Sequence, residues 1–578
     1  MFLVKENQLR KHETGHQKLR EMKQVLIVNI TRMGDLVQMG ALLSRLQEEW
    51  PGVAVDLVVD RRFAPITALL KGLRDVIAFD FHALIDDSRA AVKDVTALYQ
   101  DVAGWAKPLV ERRYDRVINL TFNQPSALLA GYIGAPDTRG ARSAWDGGMV
   151  VDNPWMAYFC DFHQFRRVNR FNLVDIYALG GSGPGSFSPL QLSIAEEARA
   201  WARQALEGAP DWIAVQAGAS DSMKAWHPRL FGLTLARLSK QWHGGIAFIG
   251  STEEEAAIAE VTQVYKKAGG ENPVKNMAGR TTVSQLAGLL AECRVLLTND
   301  TGPMHVSVAA GTPVIDLSVG HVDFQETGPY GPGHWVVQPD LECAPCGFEQ
   351  ICTHHACKDR IVPDFVGDLL LHVLQNTPWA SQGSGVRLYQ SDVDEDGLGT
   401  FRLQLGREPL ATAWYARFWR RYWYESHTGL CSNVPAPEGP PPDATEAQEL
   451  IRRLRPLLTN ACRRADEIAR LAARVPVNVS ELKRLQREQR AEQDRLFLLG
   501  MSTAATAPVT AAFVRQLHND NVEGVGRLAR HQASAYRAWL TRVTEIDRLL
   551  IRSIDGHSSL QPDLRQNIVP VGVEPRVA

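Results

Sequence analysis

The run Val25-Leu-Ile-Val-Asn-Ile30 is continuous, branched and too short for a helix, so it reads as a strand buried on both faces of a parallel sheet. Such a strand must be flanked by other strands and covered by helices, and the chain supplies both. A loop, Thr31-Arg-Met-Gly34-Asp35, leads to apolar residues at helical spacing over 36–49. Pro51-Gly52 stops that helix before a second strand at 54–59. A strand at 75–79, a helix over 90–111 and a strand at 115–120 repeat the pattern. Alternation of this kind predicts a doubly wound α/β sheet.

From 152 to 189 the periodicity is poor and Gly, Ser, Pro and aromatic residues accumulate, which predicts an interdomain linker. A second alternating series follows, with strands at 212–216, 245–249, 294–298 and 313–317 and helices at 195–206, 231–241, 252–268, 284–291 and 303–310. Two tandem parallel-sheet domains leave a cleft, and ligands are expected there, beyond the carboxyl ends of the strands. Past residue 378 come a short strand-like stretch (385–405), an aromatic-rich helix and a proline-rich spacer at 435–442. Long amphipathic helices over 444–474, 480–499 and 508–554 complete the chain. The expected partition is a polar preamble (1–23), an N-terminal Rossmann-like domain (24–185), a second such domain (190–376), a connector (378–434), a helical extension (443–555) and a flexible tail (556–578).

Composition excludes several classes. The 578 residues are 45% hydrophobic and 22% charged, with a formal net charge of -2, so bulk charge implies neither nucleic acid nor an anionic membrane. The extension holds 19 basic against 14 acidic residues, which is mildly basic and not polybasic. No apolar run approaches the roughly 18 residues of a transmembrane helix. The first 23 residues lack the apolar core of a secretory signal, so the expected compartment is the cytoplasm, with the inner-membrane surface as the alternative.

Four loops can carry chemistry. Asn299-Asp300-Thr301-Gly302-Pro303-Met304-His305 leaves a strand and opens a helix with proline at its first position, an anion site suited to a diphosphate or an ordinary capping turn. Gln216 to Pro228 includes Gly218, which permits close backbone approach, and Lys224, which can neutralise phosphate or lie solvated. Gly250-Ser-Thr-Glu253-Glu254 offers a carboxylate for ribose hydroxyls or for the helix dipole. Asp35, where the first strand meets its helix, can act as a general base or as a helix cap.

Together these segments and the cysteine run resemble the bacterial heptosyltransferases of glycosyltransferase family nine over roughly 24–376. The resemblance implies a GT-B fold of two Rossmann-like domains, the acceptor on the first and ADP-heptose on the second, and inverting transfer with no cofactor. By position, Asp35 matches the family's catalytic aspartate and Lys224 its phosphate-binding lysine. Asp300, Thr301, Gly302 and His305 match its nucleotide-sugar loop, and Glu253 its ribose-binding glutamate, with Glu254 the substitute. The chain departs from the family at Asn29, where a basic residue is usual, and in everything beyond residue 378. The preferred acceptor is a protein serine or threonine. The alternatives are a lipopolysaccharide-core sugar or a degenerate scaffold without activity, and the C-terminal helices are a candidate surface for a homo-oligomer.

Cys343, Cys346, Cys352 and Cys357 have the compact spacing of a four-thiolate zinc or iron site, with reduced free thiols as the alternative. In relatives that heptosylate proteins, such cysteines hold iron. Asp392-Val-Asp394-Glu-Asp396-Gly397 imitates the start of a calcium loop, but Leu403 stands at the twelfth position, so a polar hairpin turn outside both parallel-sheet domains is expected. The aromatic series from Trp414 to Trp423 is expected to pack a core or an interface.

Overall fold

A computed structural model describes residues 22–81, 95–348, 352–376, 385–519 and 524–554; most of the expected preamble and tail lie outside them. The first sheet is built from β1 (Gln24–Val28), β2 (Ala54–Asp60), β3 (Asp75–Phe79), β4 (Arg116–Asn119), β5 (Asp137–Ser143) and β6 (Met149–Asp152), in the order β3-β2-β1-β4-β5-β6. All pairs are parallel except β5 with β6. β2 is buried at every residue and β1 at all but its first, which explains why continuous apolar runs predicted them. The strand order reverses between β1 and its neighbour β4, so a crevice opens beyond their carboxyl ends.

The second sheet contains β7 (Trp212–Gln216), β8 (Gly245–Phe248), β9 (Val274–Asn276), β10 (Leu296–Thr298), β11 (Val314–Leu317), β12 (Trp335–Pro339), β13 (Val386–Val393) and β14 (Gly399–Leu405). Their order is β14-β13-β12-β11-β10-β7-β8-β9. Here the order reverses between β7 and β10. Two sheets of this design, with helices between and around them, form the GT-B arrangement that the resemblance implies, followed by a C-terminal helical region.

Three expectations are corrected. The stretch read as a linker contains two α-helices, Pro154–Asp161 and Leu173–Gly181, joined through a 3-10 segment, Phe162–Val168. Each α-helix starts on an asparagine whose side chain accepts from first-turn N–H groups, Asn153 from Trp155 and Met156 and Asn172 from Val174. Their residues are too aromatic and too thoroughly buried to leave an amphipathic signature. The stretch 385–405 is not outside the sheets: β13 pairs antiparallel with β12, and β14 with β13. Asp394 still makes the expected polar turn, its carboxylate accepting from the N–H groups of Asp396 and Leu398. Finally, the helix predicted over 508–554 is two, Ala507–His518 and Val525–Ile554.

The extension is welded to the first unit through an aromatic core. Trp155, Tyr158, Phe162, Phe165 and Phe171 pack with Trp414, Phe418, Trp419 and Trp423 of helix Leu410–Thr428, and with Trp539 and Leu550 of the last helix. Trp419 donates to the Ala504 carbonyl (2.7 Å) and Trp414 to that of Gly439 (2.9 Å), so both indoles are partnered where they are buried. Arg515 forms a forked ion pair with Asp161, and Asn519 bonds both backbone groups of Val151, covering the free edge of β6.

Candidate active site

Two loops of the second sheet are knitted together at its reversal point. Gln216 and Thr298 stand in register at the ends of β7 and β10, level with Asp316, the last residue but one of β11. The Gln216 carbonyl accepts from the hydroxyls of Thr301 and Thr298, while its amide donates to Glu254 (3.2 Å). Asn299, fully buried, accepts from Trp226 N (2.9 Å) and donates to the Gly218 carbonyl (3.0 Å). Sequence reading missed both Gln216 and Asn299 as organisers; a polar residue ending an otherwise apolar strand was the available signal.

Helix Gly302–Ala310 begins here, with Pro303 in its first turn as expected. Thr301 makes no side-chain cap bond, its hydroxyl being committed to Gln216. The helix N-terminus therefore keeps its attraction for an anion. Lys224 lies mostly buried, its Nζ 3.8 Å from Asp300 Oδ2, and that same oxygen accepts from Thr327 (3.0 Å). A lysine beside a helix N-terminus adds a positive charge to a place that already attracts anions.

The first unit closes over this point. Its helix starts at Met33, earlier than predicted, so Asp35 lies in the first turn and accepts from Arg32 N (3.1 Å). The capping role and the cleft position thus coexist. Gly34 has no room for a side chain: a Cβ there would lie 2.8 Å from His305 Cδ2, and one on Gly302 would lie 2.9 Å from Met33 Cε. His305 is held below its ordinary pKa by burial, against the pull of Asp300 and Asp35, while Lys224 adds to the lowering. Asp35, Asp300, Lys224 and His305 therefore share one electrostatic neighbourhood across the two units. His305 Nδ1 is buried without a hydrogen-bond partner among the described residues.

Of the two glutamates, Glu254 and not Glu253 turns inward. Glu253 is exposed, whereas Glu254 sits so close to Gly218 that a Cβ there would lie 2.2 Å from its carboxylate. Ser251 and Glu254 form a capping box, a helical phase that the sequence leaves open by one residue. Acids also accumulate behind the loop. Asp316 is raised well above the usual carboxylate range by burial first and by Asp300 second. Glu326, raised to about 8 by burial with Asp323 adding, is clamped by Arg166, which reaches it from the 3-10 segment at 2.8 Å.

The four cysteines do not form the expected closed site. Among the described residues no three His, Cys, Asp or Glu side chains gather as metal ligands. Their settings differ: Cys346 N donates to the Gly320 carbonyl and Cys357 sits in the second unit's core, while Cys343 and Cys352 lie half exposed on loops. They remain near neighbours, since burial pushes the Cys346 thiol up to about 11 and Cys343, Cys357 and Cys352 each add to the shift.

Residues 102–356 match the family model for glycosyltransferase family 9 (heptosyltransferase), which bears out the resemblance drawn from the motifs. The chain is 29% identical over 169 residues to lipooligosaccharide heptosyltransferase 2 of Campylobacter jejuni, covering 28% of this chain and 51% of that protein. It is 22% identical over 298 residues to lipopolysaccharide heptosyltransferase 2 of Escherichia coli, covering 51% and 82%. The chain thus spans about half the length of the Campylobacter relatives, the second of them being covered to 48%. Among solved structures, the E. coli ADP-heptose heptosyltransferase II aligns at 20% identity over 61% of this chain and 99% of that one, with a TM-score of 0.45. A family 9 glycosyltransferase of Veillonella parvula aligns at 20% over 61% and 98%, with a TM-score of 0.47.

Proposed function

We propose that the chain is an inverting glycosyltransferase that moves heptose from ADP-heptose to an acceptor hydroxyl. The observation that carries this is the meeting of Asp35, from the first unit, with Lys224, Asp300 and His305 of the second across a contact that only glycine permits. In this reading Asp35 takes the proton of the acceptor hydroxyl as its oxygen bonds the anomeric carbon and the bond to the diphosphate breaks. Lys224 and the N–H groups opening helix Gly302–Ala310 stabilise the charge that grows on the departing ADP. Gly218, Thr301 and Gly302 line the donor, with Glu254 in place of Glu253 at the ribose.

On the acceptor, the helical extension, absent from the family pattern, supports a protein serine or threonine; the names of the curated relatives support a lipopolysaccharide-core saccharide. The setting is the cytoplasm. Zinc or iron on the cysteines is supported by the mutual influence of the four sulfurs, and metal analysis of the purified protein tests it; no step of the transfer runs through it. The main test is calorimetric titration with ADP-heptose, GDP-mannose and UDP-glucose, with intact-mass analysis of co-expressed proteins. Selective ADP-heptose binding is expected. Heptose-sized additions to a protein select the first acceptor, and their absence the second; binding to none of the three nucleotides defeats the reading.

A further inference from the structure

Residues 475–479 turn helix Ala444–Ala472 back into helix Val479–Gly500. The last residue of the first of these helices to join the aromatic core is Ala465, and a small separate cluster of Ile468, Ala469, Leu482, Leu485 and Ala529 closes the bundle beyond it. At about 1.5 Å per helical residue, the turn lies some 15 Å past that core. Helix Val525–Ile554 begins at the same end, since a Cβ on Gly526 would lie 3.5 Å from the Ala472 carbonyl.

This tip is apolar at its point and basic around it. Val475 is 97% exposed, Val479 54%, Val525 53% and Val477 39%. Asn478, the one polar side chain of the turn, is spent on capping the next helix, accepting from Glu481 N at 3.1 Å. Behind the valines, Arg470, Lys483, Arg484 and Arg530 are exposed on three helices, and Arg474 is exposed just ahead of the turn. Against them stand Glu467, Asp466, which pairs with Arg537, and Glu481 and Glu488, both paired with Arg484 (2.6 and 2.5 Å). Arg470, Arg474, Lys483 and Arg530 are left in excess.

We infer that this tip docks on an anionic lipid surface, the valines entering the headgroup boundary and the surrounding arginines and lysine meeting lipid phosphates. Charge complementarity favours that occupant. So does area: a few valines and a proline on a convex point fall far short of the roughly 1,200–2,000 Å² that a stable protein interface buries, whereas a fluid bilayer yields to a convex point. The inference is independent of the donor and acceptor readings.

The test is co-sedimentation of the full chain with vesicles of phosphatidylglycerol and phosphatidylethanolamine, against phosphatidylcholine alone. Binding to the anionic vesicles only, weakened by salt, is expected. Val475→Asp with Val477→Asp is expected to lower the partition at least tenfold, and Arg474→Gln with Lys483→Gln about fivefold per charge removed. Because these side chains are exposed, the melting temperature and ADP-heptose affinity of both variants are expected to match the parent, which separates this inference from the transferase reading. Failure of the parent to bind anionic vesicles overturns the inference, as does undiminished binding by the valine variant. Light scattering that shows the valine variant splitting an oligomer while vesicle binding is unchanged overturns it in favour of a contact between copies.

Discussion

The two sheets follow one plan but prepare their cleft ends differently. Beyond β7 and β10 polar side chains tie the loops together, Gln216 holding Thr301, Thr298 and Glu254 and Asn299 tying Trp226 to Gly218, while among the described residues His305 Nδ1 and the Asp316 carboxylate keep no partner. Beyond β1 and β4 a second network closes on itself, Asn29 accepting from Thr31 and Asn119 from Thr121 N, with Asp35 and a bare glycine at its edge. In the proposed reading the second unit supplies several groups to the nucleotide, whereas the first supplies one reactive group, Asp35, to the acceptor hydroxyl.

The contrast is sharpest at Asp35. Asp35→Ala is expected to slow transfer by about 10²–10⁴-fold while leaving ADP-heptose affinity within a few-fold, because a general base acts only on the acceptor proton. Equal loss of donor affinity in calorimetry would break the assignment of separate tasks. Lys224→Ala is expected to cost about 10²–10³-fold in kcat/KM and to weaken ADP itself, the pattern of a group serving the diphosphate.

Asp175 tests how firmly the units are joined. It sits in helix Leu173–Gly181, accepts from Tyr330 (2.6 Å) and from Gly399 N (3.0 Å), and is pushed up to about 7 by burial, with Arg420 opposing. The folded state therefore favours the protonated acid. Between about pH 4 and 7 folding takes up a proton, so this stabilisation is present at low pH and lost as pH rises through 7. The Asp175 contribution is expected to fall by roughly 2–3 kcal/mol from pH 5 to 8, read in urea unfolding as the pH-dependent difference between the parent and Asp175→Asn. The difference is needed because buried His334 and His427, held to about 4 and about 3 by burial, tilt the parent's own curve the other way. Asn299→Ala has the smallest expected effect, about 1–2 kcal/mol of stability from the unpaired Trp226 N–H, together with weakened donor binding. Unchanged donor affinity in that variant would show that the knitted loops are scaffolding only.

Much of this was legible in the sequence for a simple reason. Strands buried on both faces, such as β1 and β7, must be unbroken apolar runs, and a strand running into Asp300-Thr301-Gly302-Pro303 announces a helix N-terminus at the cleft. What escaped depends on contacts distant in the chain. β12 ends in Pro339 and pairs with a hairpin some 50 residues later, and the helices around Trp155 and Tyr177 are buried on too many sides to show a stripe. The choice of Glu254 over Glu253 rests on a capping box one residue out of phase, and the different burial of the four cysteines on packing against Gly320 and the second core, which spacing cannot report.

The aromatic core shared by Trp155, Phe165 and Phe171 with Trp419, Trp423 and Trp539 has a consequence for synthesis. On the ribosome, the first group emerges well over two hundred residues before its partners. At about 5–20 residues per second, those rings wait roughly ten seconds to a minute covered only by one another and by near neighbours such as Ile176 and Leu179. During that interval the nascent protein is a natural client for a chaperone, and a gene shortened to its two sheets would leave the wait without an end.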